Sequence, residues 1–336
     1  MKLSDFTYPV PQELIAQYPL IKRDRSRLMV VNRARQSIQH AHFSDLNQFL
    51  PPRSHLVLNN SKVLPVRLLG KREKGTAEVE IFLLRKLSGN NQYEALLRPL
   101  KRLKEGEKIF FPAADLVATV IDKEKRIVSF NKKNLKSVLE RIGHMPLPPY
   151  IARSDEKKDR ISYQTVFAKH PGSVAAPTAG LHFTKSLLQS LNRAGHKIDF
   201  VTLHVGYGTF QPVECEDITE HEMHTESYSV TQRAYHQIQE SKKKGTPLVA
   251  VGTTACRTLE TLALTQKQEG ETNLFIYPGF SFRMVDHLLT NFHLPKSTLL
   301  MLVCAFGGMD LIKKAYKEAI DKKYRFYSYG DAMLIL

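Results

Sequence analysis

Residues 171–210 read PGSVAAPTAGLHFTKSLLQSLNRAGHKIDFVTLHVGYGTF, and the alternation within them decides the fold class. The opening loop is rich in Gly, Ser, Thr and Pro and carries no charge. LHFTKSLLQSLNRAG follows, with Leu181, Leu187, Leu188 and Leu191 roughly on one helical face. Gly195 ends that helix, as glycine does just past a last turn. IDFVTLHV then reads as a strand that runs into HVGYGTF. One loop before a helix and one after a strand thus carry His182, His204, Tyr207 and Thr209. Helix–strand alternation builds α/β domains, whose ligands gather at strand ends. Glycine lets a ligand approach the backbone there, and a helix start offers unpaired N–H groups. Gly206-Tyr207-Gly208 lacks the third glycine of a dinucleotide fingerprint. Short glycine loops are mostly punctuation, so the inference rests on similar stretches downstream.

The chain has 336 residues, 42% of them hydrophobic, with 49 Lys and Arg against 33 Asp and Glu. That length suits one large domain or two ordinary ones, and the hydrophobic content suits a packed core. The formal charge of +16 favours a polyanionic partner such as RNA or DNA. Cys215, Cys256 and Cys304 lie far apart with no CxxC pair. This speaks against a zinc ribbon, an iron–sulfur cluster or a disulfide framework, and points to a reducing cytoplasm. The start, MKLSDFTYPVPQ, does not read as a signal peptide. The longest plain apolar run, residues 299–306, is too short to span a bilayer and reads as a buried strand.

Taken in order, residues 1–60 are α/β material. PQELIAQYPL (11–20) predicts a short helix, RSRLMVVNR (25–33) a strand, residues 43–50 a helix, and 55–58 a strand ending in Asn59-Asn60-Ser61. Arg23, Asp24, Arg25 and Arg27 make a charged patch, by default a solvated face and otherwise a phosphate contact. Short β patterns then follow at 63–69, 77–84, 93–97, 108–111, 116–121 and 126–130. Turns such as Ser88-Gly89-Asn90 and Glu105-Gly106 separate them. Six short strands without helices predict a small barrel or sandwich. Within it, RPLKRLKEGEK places Arg98, Lys101, Arg102 and Lys104 on one basic turn, a nucleic-acid contact by charge. Residues 134–142 return to helix, and HMPLPPY (144–150) reads as a linker. The expected architecture is an α/β main domain, residues 1–63 and 149–336, interrupted by a small all-β domain, barrel or sandwich, residues 64–148.

Three further stretches carry chemistry. HEMHTESYSV (221–230) has His221 and His224 three apart, where a metalloprotease helix needs HExxH. The alternation after it puts His224, Glu226, Tyr228 and Val230 on one face of a strand, so a hydrogen-bonded His/Glu pair is expected and no metal. GTTACRTLET (252–261) follows an apolar strand and makes a backbone cradle at a helix start. Arg257 and Glu260 on that helix form either a surface pair or, through Arg257, a clamp for a carboxylate or phosphate. In FIYPGFSFRMVDHLLTNFHLPKSTLLMLVCAF (275–306), Phe280 and Phe282 are either base-stacking platforms or core. Lys296, Ser297 and Thr298 stand at the entry to the apolar run.

These motifs carry a resemblance. PTAGLHFT, HVGYGTFQPV, HEMHTE, VGTTACRTLE, the stretch 275–306 and YSYGDAM resemble the S-adenosylmethionine:tRNA ribosyltransferase-isomerase family, as do ELIAQYPLIKRDRSRL and RPLKRLKEGEKIFF. The likeness runs nearly end to end. It departs at Asn59-Asn60-Ser61, where the family is expected to show Asn-Asp-Thr, so no catalytic carboxylate is carried over to residue 60. The resemblance implies an α/β domain with an inserted β-barrel. It also implies transfer of the ribosyl part of S-adenosylmethionine onto 7-aminomethyl-7-deazaguanine at the tRNA wobble position, giving epoxyqueuosine, adenine and methionine. S-adenosylmethionine is then a co-substrate and tRNA the partner; a cytoplasmic monomer without membrane contact is expected.

Such chemistry needs a base for the C5′ proton and an acid for the leaving adenine. Histidines suit these transfers near neutral pH, so His182, His204, His221 and His224, with Glu226, are the candidate catalytic groups. Thr178, Gly180, Tyr207, Gly208, Thr209, Thr253 and Phe280 are candidates for holding the nucleoside. Arg257 or Lys296 is the candidate for the methionine carboxylate. The loops at 176–182, 204–210, 221–226, 252–257 and 279–298 are expected to converge on one pocket. Two other readings stay open: a non-catalytic RNA-binding protein, and, more weakly, a metal hydrolase built on HEMH.

Overall fold

The computed structural model describes residues 1–73, 77–87 and 91–336. The turn expected at Ser88-Gly89-Asn90 lies outside the described residues. In chain order the strands are β1 (Arg27–Asn32), β2 (Ser37–His42), β3 (His55–Asn59), β4 (Ser61–Val63), β5 (Arg67–Arg72), β6 (Glu78–Lys86), β7 (Gln92–Arg98), β8 (Lys108–Phe111) and β9 (Leu116–Asp122). They continue as β10 (Ile127–Phe130), β11 (His170–Ser173), β12 (Lys197–Leu203), β13 (Glu226–Ser229), β14 (Leu248–Val251), β15 (Glu269–Thr272), β16 (His287–Asn291) and β17 (Ala332–Ile335). The helices are α1 (Leu46–Phe49), α2 (Lys136–Ile142), α3 (Asp159–Ser162), α4 (Lys185–Arg193), α5 (Gln232–Lys243), α6 (Thr253–Thr265), α7 (Thr298–Gly307) and α8 (Met309–Asp321). Two compact units result, Met1–Lys62 with Pro148–Ser154 and Ser162–Leu336, and Val63–Leu147 with Asp155–Ile161.

The first unit is built on a nine-stranded sheet in the order β15-β13-β12-β3-β14-β16-β17-β1-β2. β12, β3, β14 and β16 run parallel to one another. The period-2 alternation of their apolar residues loads both faces. Leu28, Val30, Leu56, Leu58, Val249 and Val251 join Leu46 of α1 and Leu187 and Leu191 of α4 in one core. Their neighbours Met29, Val31, Val57, Leu248 and Ala250 turn to the opposite core with Ile238 of α5, Leu259 of α6, Met301 of α7 and Ala315 of α8. The sheet is mixed, with antiparallel pairs at β15-β13-β12, β16-β17 and β1-β2, and the near-continuous apolar strands of its parallel centre demand helices on both faces.

Three local expectations change. The apolar run 299–306 is helix α7, not a strand. A short apolar run suits either state. Here the Ser297 side chain accepts from the Leu300 N–H, and Gly308 at φ 83° follows the last turn. Both faces of α7 are covered, with Leu300, Met301, Leu302, Val303, Cys304 and Phe306 buried. The helix pattern 181–195 begins only at Lys185, where Thr184 caps the Leu187 N–H. Before it, Thr178–His182 forms a separate 3-10 turn with Leu181 and His182 buried. In residues 11–20 only Gln12–Leu14 coils, again as a 3-10 turn after Pro11; Ile15 is already extended and bridges to Phe326, which ends the turn there.

The second unit holds a closed barrel, β10-β7-β6-β5-β8-β9. Alternation fills it: Leu116, Ala118 and Val120 of β9, and Ile109 and Phe111 of β8, are buried. Gly70 on β5 makes room for the Phe111 ring, since a Cβ there would lie 2.6 Å from the ring edge. Among the described residues no helix is long and apolar enough to cross a membrane.

Candidate active site

The four parallel strands end together, at Leu203, Asn59, Val251 and Asn291. A cleft opens there, in the first unit. Thr178, Val205, Thr209, Gly252, Thr253, Thr254, Thr290, Asn291, His293, Tyr150, Tyr327 and Ser328 are on its wall, and no Lys, Arg, Asp or Glu is. It gathers residues from the stretches 175–179, 205–209, 252–254 and 290–294. The stretches 221–224 and 279–282 do not reach its wall. Its enclosed volume is about 50 Å³, small against the roughly 300–1,000 Å³ of a ligand pocket.

Beside the cleft lies a buried ion pair. Alternation along β13 turns Glu226 inward, and it is 4% exposed. It accepts from the Gly206 N–H at 2.8 Å, the Thr209 hydroxyl at 3.4 Å and the Arg257 guanidinium. Arg257, also 4% exposed, donates through Nε to the Leu274 carbonyl at 3.0 Å. Burying both charges is tolerated because these bonds satisfy them. The pair ties the HVGYGTF loop to α6. Arg257 therefore faces a carboxylate of its own chain and does not reach the cleft wall. Glu260 is no partner of Arg257: it is fully buried and accepts from the N–H groups of Arg283, Met284 and Val285 at 2.9–3.0 Å, anchoring the loop after YPGFSF.

The four histidines fall in different surroundings. His182 is buried, with Nε2 3.1 Å from Asn291 Nδ2 and Nδ1 2.7 Å from Ser26 Oγ, and it stacks on Phe43. An amide nitrogen only donates, so Nε2 accepts and Nδ1 carries the proton. Both ring nitrogens are thus engaged by the protein. Burial, with the positive charges of Arg325 and Arg23, pushes His182 down to about 3. His293 is likewise held at about 3 by burial. An unfolded chain protonates such a histidine near 6.5. Between those values the unfolded state binds more protons, so stability falls as the pH drops from about 6.5 towards about 3. His182→Gln is expected to flatten the fall of the denaturation midpoint between about pH 6.5 and pH 4.5; an unchanged slope would remove His182 as its source.

His204 follows β12 and is half-buried; its Nδ1 has no partner among the described residues. Gly172, at φ 151°, lets the backbone pass against this ring: a Cβ there would sit 2.6 Å from Nδ1. Burial, then nearby His170, holds His204 below the ordinary histidine value. His221 is held down by burial and then by His224, and meets Phe275 edge-on at 5.3 Å. His224 bonds Gln211 at 2.9 Å and covers Gly208, where a Cβ would strike the His224 ring.

A model of the queuosine biosynthesis protein family matches residues 3–335. The chain belongs to that family. It is 53% identical over 338 residues, the whole of both chains, to the S-adenosylmethionine:tRNA ribosyltransferase-isomerase of Sulfurihydrogenibium sp. (strain YO3AOP1). To the protein of that name from Symbiobacterium thermophilum it is 52% identical over 344 residues, again the whole of both. A crystal structure of S-adenosylmethionine tRNA ribosyltransferase from Thermotoga maritima shares 38% identity, covers 99% of this chain and 100% of its own, and superposes with a TM-score of 0.57. These likenesses agree with the α/β sheet and closed barrel seen here.

In this queuosine biosynthesis protein, Thr178, Thr209 and Thr253 stand on the cleft wall. Gly180 packs on Thr165 and Phe167. Tyr207 starts a 3-10 turn, Tyr207–Phe210. Phe280 packs edge-on against Phe282 at 5.0 Å, which does the same to Phe306 at 4.8 Å, so this pair belongs to the core margin. Lys296 is exposed and outside the cleft wall, and its backbone bonds Phe6 and Val213. In the barrel unit, Lys101, Arg102 and Lys104 are exposed around buried Leu103, and Arg98 lies 4.0 Å from Glu80. Asn60 accepts from the Thr202 hydroxyl at 2.7 Å. No group of three or more metal-ligating side chains occurs among the described residues.

Sequence reasoning missed Asn291, Thr290, His293, Tyr327 and Ser328. Asn291 and His293 stand within the stretch 275–306, but nothing in their spacing singles them out. The chain-order neighbours of Tyr327 read as a strand of tyrosines; only the antiparallel pairing of β17 with β16 brings that end to the cleft.

Proposed function

We propose that this chain is an S-adenosylmethionine:tRNA ribosyltransferase-isomerase. It moves the ribosyl part of S-adenosylmethionine onto 7-aminomethyl-7-deazaguanine at the wobble position of tRNA and rearranges it to epoxyqueuosine, releasing adenine and methionine. The observation that carries this reading is the end-to-end identity of 53% and 52% with relatives of that name. The uncharged cleft at the strand ends supports it, because a nucleoside is held by hydroxyls and backbone better than by charges.

The first unit is the catalytic domain in this reading, and the barrel is the inserted domain. The sulfonium acidifies the C5′ proton, and His204, next in the chain to Val205 of the cleft wall and kept neutral by burial, is the base assigned to remove it. The acid that lets adenine leave is assigned to His221 or His224 on their chemistry alone, since their stretch stands off the cleft wall. Glu226 orients the 206–209 loop rather than transferring a proton. No metal takes part. The three free cysteines suit a reducing cytoplasm, where a monomer acts.

Incubation with S-adenosylmethionine and tRNA bearing the 7-aminomethyl base should release adenine stoichiometrically with nucleoside formed. Binding of that tRNA without adenine release would instead favour the non-catalytic RNA-binding reading. The basic turn has its own test. Lys101→Ala with Arg102→Ala is expected to weaken tRNA binding and lower the slope of log K against log salt by about 1–2, while single-turnover chemistry at saturating tRNA stays within about threefold. An unchanged salt slope would take this turn out of the RNA contact.

A further inference from the structure

The cleft has no lysine or arginine to meet the methionine end of the co-substrate. Arg257 is engaged by Glu226, and Lys296 is exposed and off the cleft wall. What the cleft does have is the start of α6, thirteen residues long. Its first N–H groups have no acceptor within the helix. The N-cap is Gly252, at φ 89°, which brings no side chain to satisfy them. Thr253 and Thr254, which carry the first two of these groups, line the cleft. Such a terminus carries the positive end of the helix dipole and takes anions.

A second, independent feature belongs to a residue that lines the same cleft. Asn291, at the end of β16, is 1% exposed and lines the cleft. Its Nδ2 is turned to His182 Nε2 and to the carbonyls of Tyr327 and Asp331. Its Oδ1 has no partner among the described residues. A buried carbonyl oxygen left unpaired costs free energy unless a donor arrives. β14 and β16 are adjacent and parallel, with Val251 opposite Leu289. Thr253 and Asn291 each lie two residues beyond that register, on adjoining strand ends. An anion site and an orphan acceptor side by side match an α-amino-acid group, which bears a carboxylate and an ammonium on one carbon.

We infer that the N-terminus of α6 takes the α-carboxylate of S-adenosylmethionine and that Asn291 Oδ1 accepts from its α-ammonium. The inference rests on the reaction proposed above and names the groups that hold its co-substrate. Thr253 provides a clean probe, because proline at a first helical position removes the N–H and keeps the helix. Thr253→Ala removes the hydroxyl and keeps the N–H.

The experiment is calorimetric titration of the full chain with S-adenosylmethionine, its decarboxylated analogue and its deaminated analogue. The wild type is expected to prefer the complete molecule by about tenfold or more over each analogue. Thr253→Pro should cut the preference over the decarboxylated analogue to under about threefold and keep the preference over the deaminated one. Thr253→Ala and Lys296→Ala should keep both. Asn291→Leu should lose the second preference alone. If that variant does not fold, the wild-type ratio still decides: equal binding of the deaminated analogue overturns the Asn291 contact. Equal binding of the decarboxylated analogue, or loss of discrimination in Lys296→Ala, overturns the α6 contact. Thr253→Pro weakening tRNA binding with nucleoside discrimination intact would assign the N–H groups to a phosphate and overturn it too. Those results leave the proposed reaction standing. Wild-type protein that binds none of the three and releases no adenine would bring down both.

Discussion

Glu226→Ala is expected to destabilise the protein by about 3–5 kcal/mol, among the largest losses any single substitution would cause. The reason is what remains behind. Arg257 is 4% exposed, cannot give up its proton, and would keep its Leu274 carbonyl while losing its counter-charge. The Gly206 N–H would lose its acceptor as well. Glu226→Met combined with Arg257→Met should recover most of the loss, since replacing both members of a buried pair by apolar groups of similar volume is often neutral or better. Denaturant midpoints at constant m-value measure both. A loss under about 1 kcal/mol for Glu226→Ala would mean that water reaches the pair and that it behaves as a surface bridge. The double variant should fold yet turn over slowly, because nothing then ties the 206–209 loop to α6.

His204→Ala is expected to lower kcat by about 100-fold or more, with tRNA affinity changed less than about threefold. Phosphate contacts proposed for the basic turn would survive this substitution, whereas the proposed proton acceptor would be lost. Gly172→Ala should act in the same direction without changing the imidazole chemically, since its Cβ would come within 2.6 Å of His204 Nδ1 and push the ring aside. The strain is twofold there, because φ 151° is itself unfavourable for alanine. Retention of more than about one fifth of wild-type turnover by His204→Ala would pass the base to another group. His182 is the less apt choice, because Ser26 and Asn291 already engage both of its nitrogens and burial holds it neutral.

Much of the architecture is legible in residue order because it depends on local period. Alternation at 116–121 and 108–111 marks barrel strands whichever neighbour they find, and buried runs such as 55–58 and 248–251 mark strands covered on both faces. The glycine-bearing loops at 204–210 and 252–254 are visible for the same reason: a strand stops and a helix or turn starts. Residues 299–306 defeated this reasoning. A uniformly apolar run has no period to read, and the choice of helix came from Ser297, from Gly308 and from the space between α6 and α8.

The sequence by itself determined the two kinds of unit, the family, and the loops from which the cleft is drawn, since each is written in contiguous residues. Tertiary structure alone decided the partners. Glu226 and Arg257 are thirty-one positions apart, and nothing local says that they bond each other rather than a substrate. Nor does order along the chain show that Asn291 shares a cleft with Thr253, or that its Oδ1 is left over once Nδ2 has met His182, Tyr327 and Asp331. Pairing of buried polar groups is a property of which strands lie side by side and of how deeply each group is taken out of water. Those quantities exist only once the sheet has closed, so a residue type and its spacing name the candidates and the folded chain selects among them.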